Sequence, residues 1–261
     1  MNRKIVFIDV DGTMYHAHEE SLRETVHTKL LEASKHVDLY LSTGRAMCVL
    51  SCLGKSMDLF KGFVLTNGTL VLKDNTVLLN NFFKKEVLIE LIKKAKEFEA
   101  VIGLISKDKV YVNKYSPVVE YALQPHFSGA IVELGDYNFD LDIEYNMVWT
   151  FDPNEIIDKV TSNIDGVDVF KWGSIGGDIV PKGMTKAIGI KRLLEEINMP
   201  LDNTYAIGDS GNDVAMFKLV KNPICMGNGT DIAKGAAKYI TEPIDEFGLE
   251  NALDRIIKGE W

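Results

Sequence analysis

Short apolar runs near the N-terminus each stop at a cluster of polar residues. The runs Lys4–Ile8, Val37–Leu41 and Phe63–Leu65 lead into the sequences DVDGT, STGR and TNG. Helix-like stretches at residues 22–34 and 46–59 separate these runs. Strands that alternate with helices in this way predict a parallel sheet with helical crossover connections.

The C-terminal part repeats this alternation. Thr185–Asn198 has the apolar spacing of a helix, and the apolar run Thr204–Ile207 leads into GDSGND. The segments predicted after it are a helix at Val214–Val220, a strand at Pro223–Met226, and helices at Ile232–Ala237 and Ile244–Ile257.

The middle of the chain has a different pattern. Residues 69–72 and 76–79 flank a polar turn and predict a hairpin, and residues 86–98 predict a helix. Short, turn-bounded strands are predicted after it, with one helix at 153–160; the strands are Ala100–Ile105, Lys109–Asn113, Gly129–Leu134, Asn146–Phe151, Val167–Trp172 and Ser174–Val180. This pattern indicates an α+β insertion between two halves of one α/β core.

The charge of the chain limits its partners. Its 261 residues include 29 Lys and Arg against 38 Asp and Glu, for a formal net charge of -9. Such an acidic chain has no overall attraction to nucleic acid or to an anionic membrane, so neither is expected as a partner. An anionic substrate would need a local reversal of charge, and a bound cation is the simplest means.

The sequence gives no signal for export or disulfide bonding. The first apolar run has only five residues and ends in a carboxylate, unlike a signal peptide. No uncharged apolar run approaches the ~20 residues of a membrane span. The three cysteines, Cys48, Cys52 and Cys225, do not resemble a disulfide framework, and a metal or redox pair at 48 and 52 lacks further ligands. We expect a cytoplasmic protein.

Acidic residues follow two of the predicted strands. Asp9 and Asp11 are two positions apart, which places them on one side of an extended strand end. Two carboxylates held close together repel each other unless a cation lies between them. Magnesium prefers oxygen ligands, and strand ends of a parallel sheet meet at one edge, where Asp209 would be a third acidic ligand. The pattern therefore predicts a magnesium site.

Asp9 is also a candidate nucleophile. Aspartate carboxylates form acyl-phosphates, and an ordinary aspartate is ionised at neutral pH. Repulsion between this carboxylate and a phosphate would be relieved by Mg²⁺ and a lysine. Asp11 is then positioned to protonate the leaving oxygen and later to deprotonate an attacking water.

A phosphate seat is predicted beside these carboxylates. Thr43 and Gly44 end the second strand, where a hydroxyl and backbone N–H groups would face an anion. Lys186 would add a positive charge, and Asn212 begins a helix whose N–H groups point to the same place. Asp213 either tethers Lys186 or completes the outer shell of the metal.

These motifs resemble those of a known family. Residues 9–13 match the DxDxT signature of the haloacid dehalogenase-like (HAD) phosphatases. Thr43 resembles the second motif of that family, Lys186 in PKGMTKA the third, and residues 208–213 the fourth. Together with TGR, TNG and the MGN at 226–228, the set is similar to the Cof-type subgroup.

The resemblance implies a fold and a division into domains. It implies an α/β protein with a Rossmann-like parallel sheet core and a large inserted α+β cap. The core would comprise residues 1–80 and 184–261, and the cap residues 81–183. In this family the cap closes over the site and selects the substrate.

The resemblance also implies roles for site residues. Asp9, Asp11 (through its backbone carbonyl) and Asp209 would bind Mg²⁺. Asp9 would attack phosphorus, and Asp11 would be the general acid and base. Arg45 is either a substrate contact or part of a structural salt bridge. Lys182 and Lys186 both lie near the third-motif position. Lys186 is favoured by its place in the pattern, and Lys182 would then contact either substrate or solvent.

The predicted function is magnesium-dependent hydrolysis of a small phosphomonoester through an aspartyl-phosphate. Sugar phosphates are the leading substrate class by resemblance, while a nucleotide or vitamin phosphate remains an alternative. The competing functions are a phosphomutase and a catalytically silent, metabolite-binding regulator. No pattern in the sequence predicts the oligomeric state.

Overall fold

The chain separates into two compact units. The computed structural model describes residues 3–16, 19, 21–74, 76–117, 119–120 and 131–261. The first unit comprises Met1–Gly44, Cys52–Leu79 and Thr185–Trp261, and the second comprises Arg45–Ser51 and Asn80–Met184. The assignment of these units as core and cap stays a prediction.

An eight-stranded sheet forms the first unit, in the order β14-β13-β12-β1-β2-β3-β4-β5. Its strands are β1 Ile5–Ile8, β2 Asp38–Ser42, β3 Gly62–Leu65, β4 Leu70–Lys73, β5 Thr76–Asn80, β12 Thr204–Gly208, β13 Asn222–Cys225 and β14 Tyr239–Ile240. Neighbouring strands are parallel from β14 through β3, and β4 is antiparallel to β3. The predicted α/β fold with a parallel core sheet is therefore confirmed.

The central strand of this sheet explains where a ligand can bind. All four side chains of β1, Ile5–Ile8, are fully buried, as expected for a strand covered on both faces. Within the sheet, β1 lies between two parallel neighbours. The next strand in the chain, β2, pairs with one edge of β1, and β12 pairs with its other edge. Such a reversal of strand order opens a crevice at the carboxyl ends of the strands.

The six strands of the second unit form a separate sheet in the order β10-β11-β9-β6-β7-β8. They are β6 Ile102–Ile105, β7 Val110–Val112, β8 Ile131–Glu133, β9 Met147–Pro153, β10 Val167–Lys171 and β11 Ile175–Pro181. Their pairing is antiparallel except between β7 and β8. The predicted short strands are present, although residues 129 and 130 of one of them lie outside the described residues.

Helices cover both sheets. In chain order they are α1 Glu24–Ala33, α2 Lys85–Glu97, α3 Asn154–Thr161, α4 Lys186–Glu196, α5 Val214–Leu219, α6 Asp231–Ala236 and α7 Gly248–Lys258. Leu193 of α4 is buried in the core of the first unit, and Leu91 of α2 in that of the second. No helix in the described ranges is long and apolar enough to cross a membrane.

The helix predicted at residues 46–59 is wrong. Residues 46–59 form two short 3₁₀ helices, Met47–Val49 and Ser51–Leu59, instead of one α-helix. Gly54 interrupts the second of these with a φ of 47° and a ψ of -131°, a backbone conformation that glycine adopts readily. The apolar spacing of this stretch therefore reflects burial without α-helical geometry.

Candidate active site

Three carboxylates meet at the carboxyl edge of the first sheet. Asp9 follows β1 and Asp209 follows β12, and these strands pair in parallel with Ile8 opposite Ile207. Asp213 lies in the helical turn after Asp209. One oxygen from each of the three aspartates lies within 4.8 Å of the other two. Strand pairing thus brings together residues that are about 200 positions apart in the sequence.

Lys186 lies between two of these carboxylates. Its Nζ donates hydrogen bonds to Asp9 Oδ1 at 2.7 Å and to Asp213 Oδ1 at 2.6 Å, and its side chain is 0% exposed. Burial acts to lower the pKa of Lys186, but the charges of Asp213 and Asp9 outweigh it and the pKa is raised. The lysine is therefore held as a cation, and removal of either acid would leave a buried charge poorly compensated.

Close packing of two glycines places Lys186. Gly68, in the TNG turn after β3, has a φ of +92°, and a Cβ there would lie 2.1 Å from the carbonyl oxygen of Thr185. A Cβ on Gly189 would lie 2.5 Å from Val64 Cγ1 and 3.0 Å from Gly68 Cα. The first turn of α4 therefore rests directly on the backbone of the TNG turn, and Lys186 begins that helix.

Asp213 holds both the lysine and its own loop. Its Oδ2 accepts hydrogen bonds from the backbone N–H groups of Asp209 and Ser210, both at 2.9 Å, while Oδ1 accepts from Lys186. A Cβ on Gly208 would lie 2.5 Å from Asp213 Cγ, so only glycine leaves room for this carboxylate. Asp213 therefore tethers Lys186, one of the two roles that the sequence left open for it.

One lysine does not compensate the charge of all three carboxylates. Burial raises the pKa of Asp9 well above its usual value; Lys186 opposes the shift, while Asp213 and Asp209 add to it. Burial and Asp213 raise the pKa of Asp209 to about 7. Within the described part of the chain, no hydrogen-bond donor reaches Asp209 Oδ1, although that oxygen is buried. A divalent cation with oxygen ligands would relieve both the repulsion and the unsatisfied oxygen.

Asp11 lies beside this cluster in the turn that follows β1. Its backbone pairs with Tyr15 in an isolated bridge, and Gly12 between them has a φ of +73°. A Cβ on Gly12 would lie 2.4 Å from Asp209 Oδ2, so the turn packs against that carboxylate. The sequence grouped the Asp11 side chain with Asp9 and Asp209, whereas among the described residues Asp213 is the third member of the cluster.

The candidate phosphate seat is tied together by backbone and amide groups. Thr43 N donates to Val64 O at 2.9 Å, and Thr43 O accepts from Asn67 N at 3.1 Å. Asn212 Nδ2 donates to Asn67 Oδ1 at 3.0 Å, and Asn212 Oδ1 accepts from Ser210 Oγ at 2.7 Å. The loops after β2, β3 and β12 are thus linked at the same edge of the sheet.

The remaining predicted residues are Gly44, Arg45 and Lys182. Gly44 follows Thr43 and is half-buried, and the first helical turn after it begins at Met47, one residue after the predicted start. Arg45 belongs to the second unit, where its Nη1 donates to Val49 O at 3.0 Å. Of the two lysines near the third motif, Lys186 lies in the acidic cluster, while Lys182 is an exposed residue of the second unit.

Two asparagines in the TNG and MGN motifs make contacts at the site that the sequence did not predict. Asn67 adopts the left-handed conformation with a φ of 54° and holds Asn212. Asn228 donates from Nδ2 to Gly12 O and accepts at Oδ1 from Ile244 N, both at 2.8 Å. Each follows a buried strand of the parallel sheet, in TNG and in MGN, and this position was the signal that identified Asp9 and Asp209.

The fold and the site together define an α/β enzyme with a buried lysine and clustered carboxylates at the carboxyl edge of its sheet. The family model described as haloacid dehalogenase-like hydrolase matches residues 6–253, and the chain belongs to this family.

Similar proteins cover nearly the whole chain. YkrA of Bacillus subtilis (strain 168), which carries a provisional phosphatase name, is 26% identical over 267 residues, covering 98% of each chain. YcsE of the same organism, named a 5-amino-6-(5-phospho-D-ribitylamino)uracil phosphatase, is 25% identical and covers 96% of this chain and 94% of its own. The solved structure of the HAD subclass IIB sugar phosphatase BT4131 has a TM-score of 0.87 at 22% identity, covering 97% of this chain and 98% of its own.

These comparisons decide several predictions. The family, its Cof-type subgroup and the fold class are confirmed, the fold by the likeness to BT4131. The prediction of a phosphatase enzyme is confirmed by the family match and by the phosphatase names of its relatives.

Proposed function

We propose that the protein is a magnesium-dependent phosphatase that hydrolyses a small sugar phosphate through an aspartyl-phosphate on Asp9. The observation that carries this proposal is the contact between Asp9 and the buried, charged Lys186. A positive charge that is held in place beside a carboxylate lowers the repulsion that an incoming phosphate anion would meet. The lysine therefore supports Asp9 as the nucleophile.

The metal would be held at the same point. Asp9 and Asp209 supply carboxylate oxygens, and Asp11 supplies its backbone carbonyl. Mg²⁺ at this position would neutralise charge on the transferring phosphoryl group. The support is the raised pKa of both carboxylates and the buried, unsatisfied Oδ1 of Asp209.

The reaction divides into two balanced steps. In the first, a carboxylate oxygen of Asp9 forms a bond to phosphorus, the ester P–O bond breaks, and Asp11 gives a proton to the leaving alcohol oxygen. In the second, a water oxygen bonds to phosphorus, its proton passes to Asp11, and the bond between Asp9 and phosphorus breaks. The products are the alcohol and inorganic phosphate, and both aspartates return to their initial states.

Thr43, Gly44, Lys186 and Asn212 are the proposed phosphate contacts. The linkage of the loops after β2, β3 and β12 supports this assignment, because it holds the polar groups of three loops in fixed positions at one edge. Asp213 acts through Lys186 and holds its Nζ toward Asp9. Arg45 and Lys182 belong to the second unit, which we assign as the substrate-selecting cap, and remain candidate substrate contacts.

The substrate class is supported by two relatives. YcsE is named for a substrate with a phosphorylated ribityl chain, and BT4131 is described as a sugar phosphatase. Both names describe a phosphomonoester on a polyhydroxylated carbon chain. We propose the same chemical class for this protein, acting in the cytoplasm.

The test is phosphate release from a panel of sugar, sugar-alcohol, nucleotide and vitamin phosphates, with Mg²⁺ and with a chelator. We expect release from the sugar-derived esters only with Mg²⁺. Asp9→Asn should abolish turnover without loss of fold, because an amide is a poor nucleophile. The matched control is Asp202→Asn, at an exposed aspartate in the turn before β12.

Three results would contradict the proposal. Conversion of a sugar phosphate to an isomer without accumulation of inorganic phosphate would identify a phosphomutase. Binding of metabolites without any turnover would identify a regulator. Near-normal turnover by a correctly folded Asp9→Asn variant would refute the aspartyl-phosphate mechanism.

A further inference from the structure

The turn that carries Asp11 has a fixed internal shape. Gly12 N donates to Tyr15 O at 3.0 Å, and Met14 N and Tyr15 N donate to Val10 O at 3.0 and 2.9 Å. These bonds all lie within the turn. They determine its conformation but not its position relative to the other loops at the edge of the sheet.

Asn228 provides one external link. Its side-chain amide donates to Gly12 O and accepts from Ile244 N, both at 2.8 Å. Because the donor and the acceptor of one planar amide are both used, the orientation of the side chain is set by two different loops. Asn228 therefore joins the turn after β1 to the loop after β14.

The residue that binds Asn228, Ile244, also contacts Arg23. Ile244 O accepts a hydrogen bond from Arg23 Nη2 at 3.1 Å, and Arg23 Nε lies 3.2 Å from Glu19 Oε1. Ile244 thus bonds through its N–H to the group that holds Gly12, and through its carbonyl to Arg23. Gly12, through Asn228, and Arg23, directly, are therefore both linked to Ile244.

The position of Gly12 matters because of its contact with Asp209. A Cβ at Gly12 would lie 2.4 Å from Asp209 Oδ2, so no space separates the turn from this carboxylate. We propose that Asn228 is a positioning residue that holds the turn against Asp209 and so sets the spacing between Asp11 and the carboxylates of the site. Its effect on turnover rests on the proposed function, but its effect on the turn does not.

Loss of Asn228 should affect the chemical step more than binding. Without the amide, Gly12 O loses its donor and the turn moves away from Asp209. Lys186 is held by Asp9 and Asp213, so its position does not depend on Asn228. We expect Asn228→Ala to lower kcat by about tenfold or more with KM changed by less than about threefold, since small displacements of reacting groups are costly.

A second variant separates the two hydrogen bonds, and a third is a control. Asn228→Asp keeps an acceptor for Ile244 N but places a carboxylate oxygen against Gly12 O, and it should lower kcat at least as much as Asn228→Ala. Asn251→Ala is the matched control, because Asn251 is another asparagine whose Nδ2 donates to a backbone carbonyl of the neighbouring stretch, Glu246 O at 3.5 Å. It should leave kcat unchanged.

Hydrogen exchange of the metal-free protein gives a readout that is independent of activity. The amides of residues 12–15 should exchange about tenfold faster in Asn228→Ala than in the wild type or in Asn251→Ala, because the turn opens more often. Unchanged exchange of these amides, or wild-type kcat in Asn228→Asp, would overturn the proposal. Absence of phosphate release by the wild type would instead refute the proposed function, and the exchange experiment would still decide the role of Asn228.

Discussion

Gly68→Ala tests whether backbone packing between the TNG turn and α4 places the lysine of the site. A Cβ at this position would lie 2.1 Å from Thr185 O, 2.7 Å from Thr185 C and 3.2 Å from Lys186 N. All three are backbone atoms, so no side-chain rotation can relieve the contact. To reach the 3.4 Å of ordinary contact with Thr185 O, the turn or the first turn of α4 must move by about 1.3 Å.

The expected loss of stability has two parts. An alanine at a φ of +92° costs about 1–2 kcal/mol of backbone strain. Overpacking against Thr185 adds about 1–3 kcal/mol. The free energy of unfolding should therefore fall by about 2–5 kcal/mol, and kcat should fall by about 100-fold because Lys186 is displaced by about 1 Å.

Gly173→Ala is the matched control. Gly173 has a similar φ of +101°, but a Cβ there would meet no atom within 4 Å. This variant should lose only the strain of about 1–2 kcal/mol and should keep the wild-type kcat. Urea denaturation and phosphate release from the preferred substrate measure the two effects. Equal stability losses in the two variants, with kcat retained in Gly68→Ala, would refute the packing argument.

Two further predictions concern the acidic cluster. Asp213→Ala leaves Lys186 with one carboxylate, so the free energy of unfolding should fall by about 3–5 kcal/mol and kcat by at least tenfold; a stable, active variant would contradict the tether. The raised pKa of Asp209 means that the folded protein retains a proton that the unfolded chain releases, so stability without metal should fall as pH rises from 3.8 to about 7. This shift in pKa corresponds to about 4 kcal/mol of the free energy of unfolding. In chemical denaturation with a chelator, Asp209→Asn should remove that part of the pH dependence. An unchanged pH dependence would show that Asp209 titrates normally.

The sequence was sufficient for most elements because their signals are local. A buried parallel strand is a short apolar run, and an amphipathic helix repeats its apolar residues every three or four positions. The predicted helix Thr185–Asn198 is observed as Lys186–Glu196, a difference of one or two residues at its ends. Strand β14, with only Tyr239 and Ile240, is too short to give such a signal and was missed.

Residues 46–59 show where local signals fail. Their apolar positions are compatible with an α-helix, yet the chain forms two 3₁₀ segments with a break at Gly54. A glycine inside a helical pattern costs only about 1 kcal/mol, so the sequence does not show whether the helix continues through it. Here Cys52 and Leu53 are buried without α-helical hydrogen bonding.

The sequence by itself determined which loops carry the proposed site residues, because Asp9, Thr43 and Asp209 each follow a recognisable strand and parallel strands end at one edge. Only the tertiary structure decided which side chains meet there. The sequence already favoured Lys186 over Lys182, and the structure adds its contacts with Asp9 and Asp213 and makes Asp213 the third clustered carboxylate. The position of Lys186 follows from how α4 lies on the TNG turn. That placement depends on a contact of a few ångströms between backbones more than 100 residues apart, which no local pattern encodes.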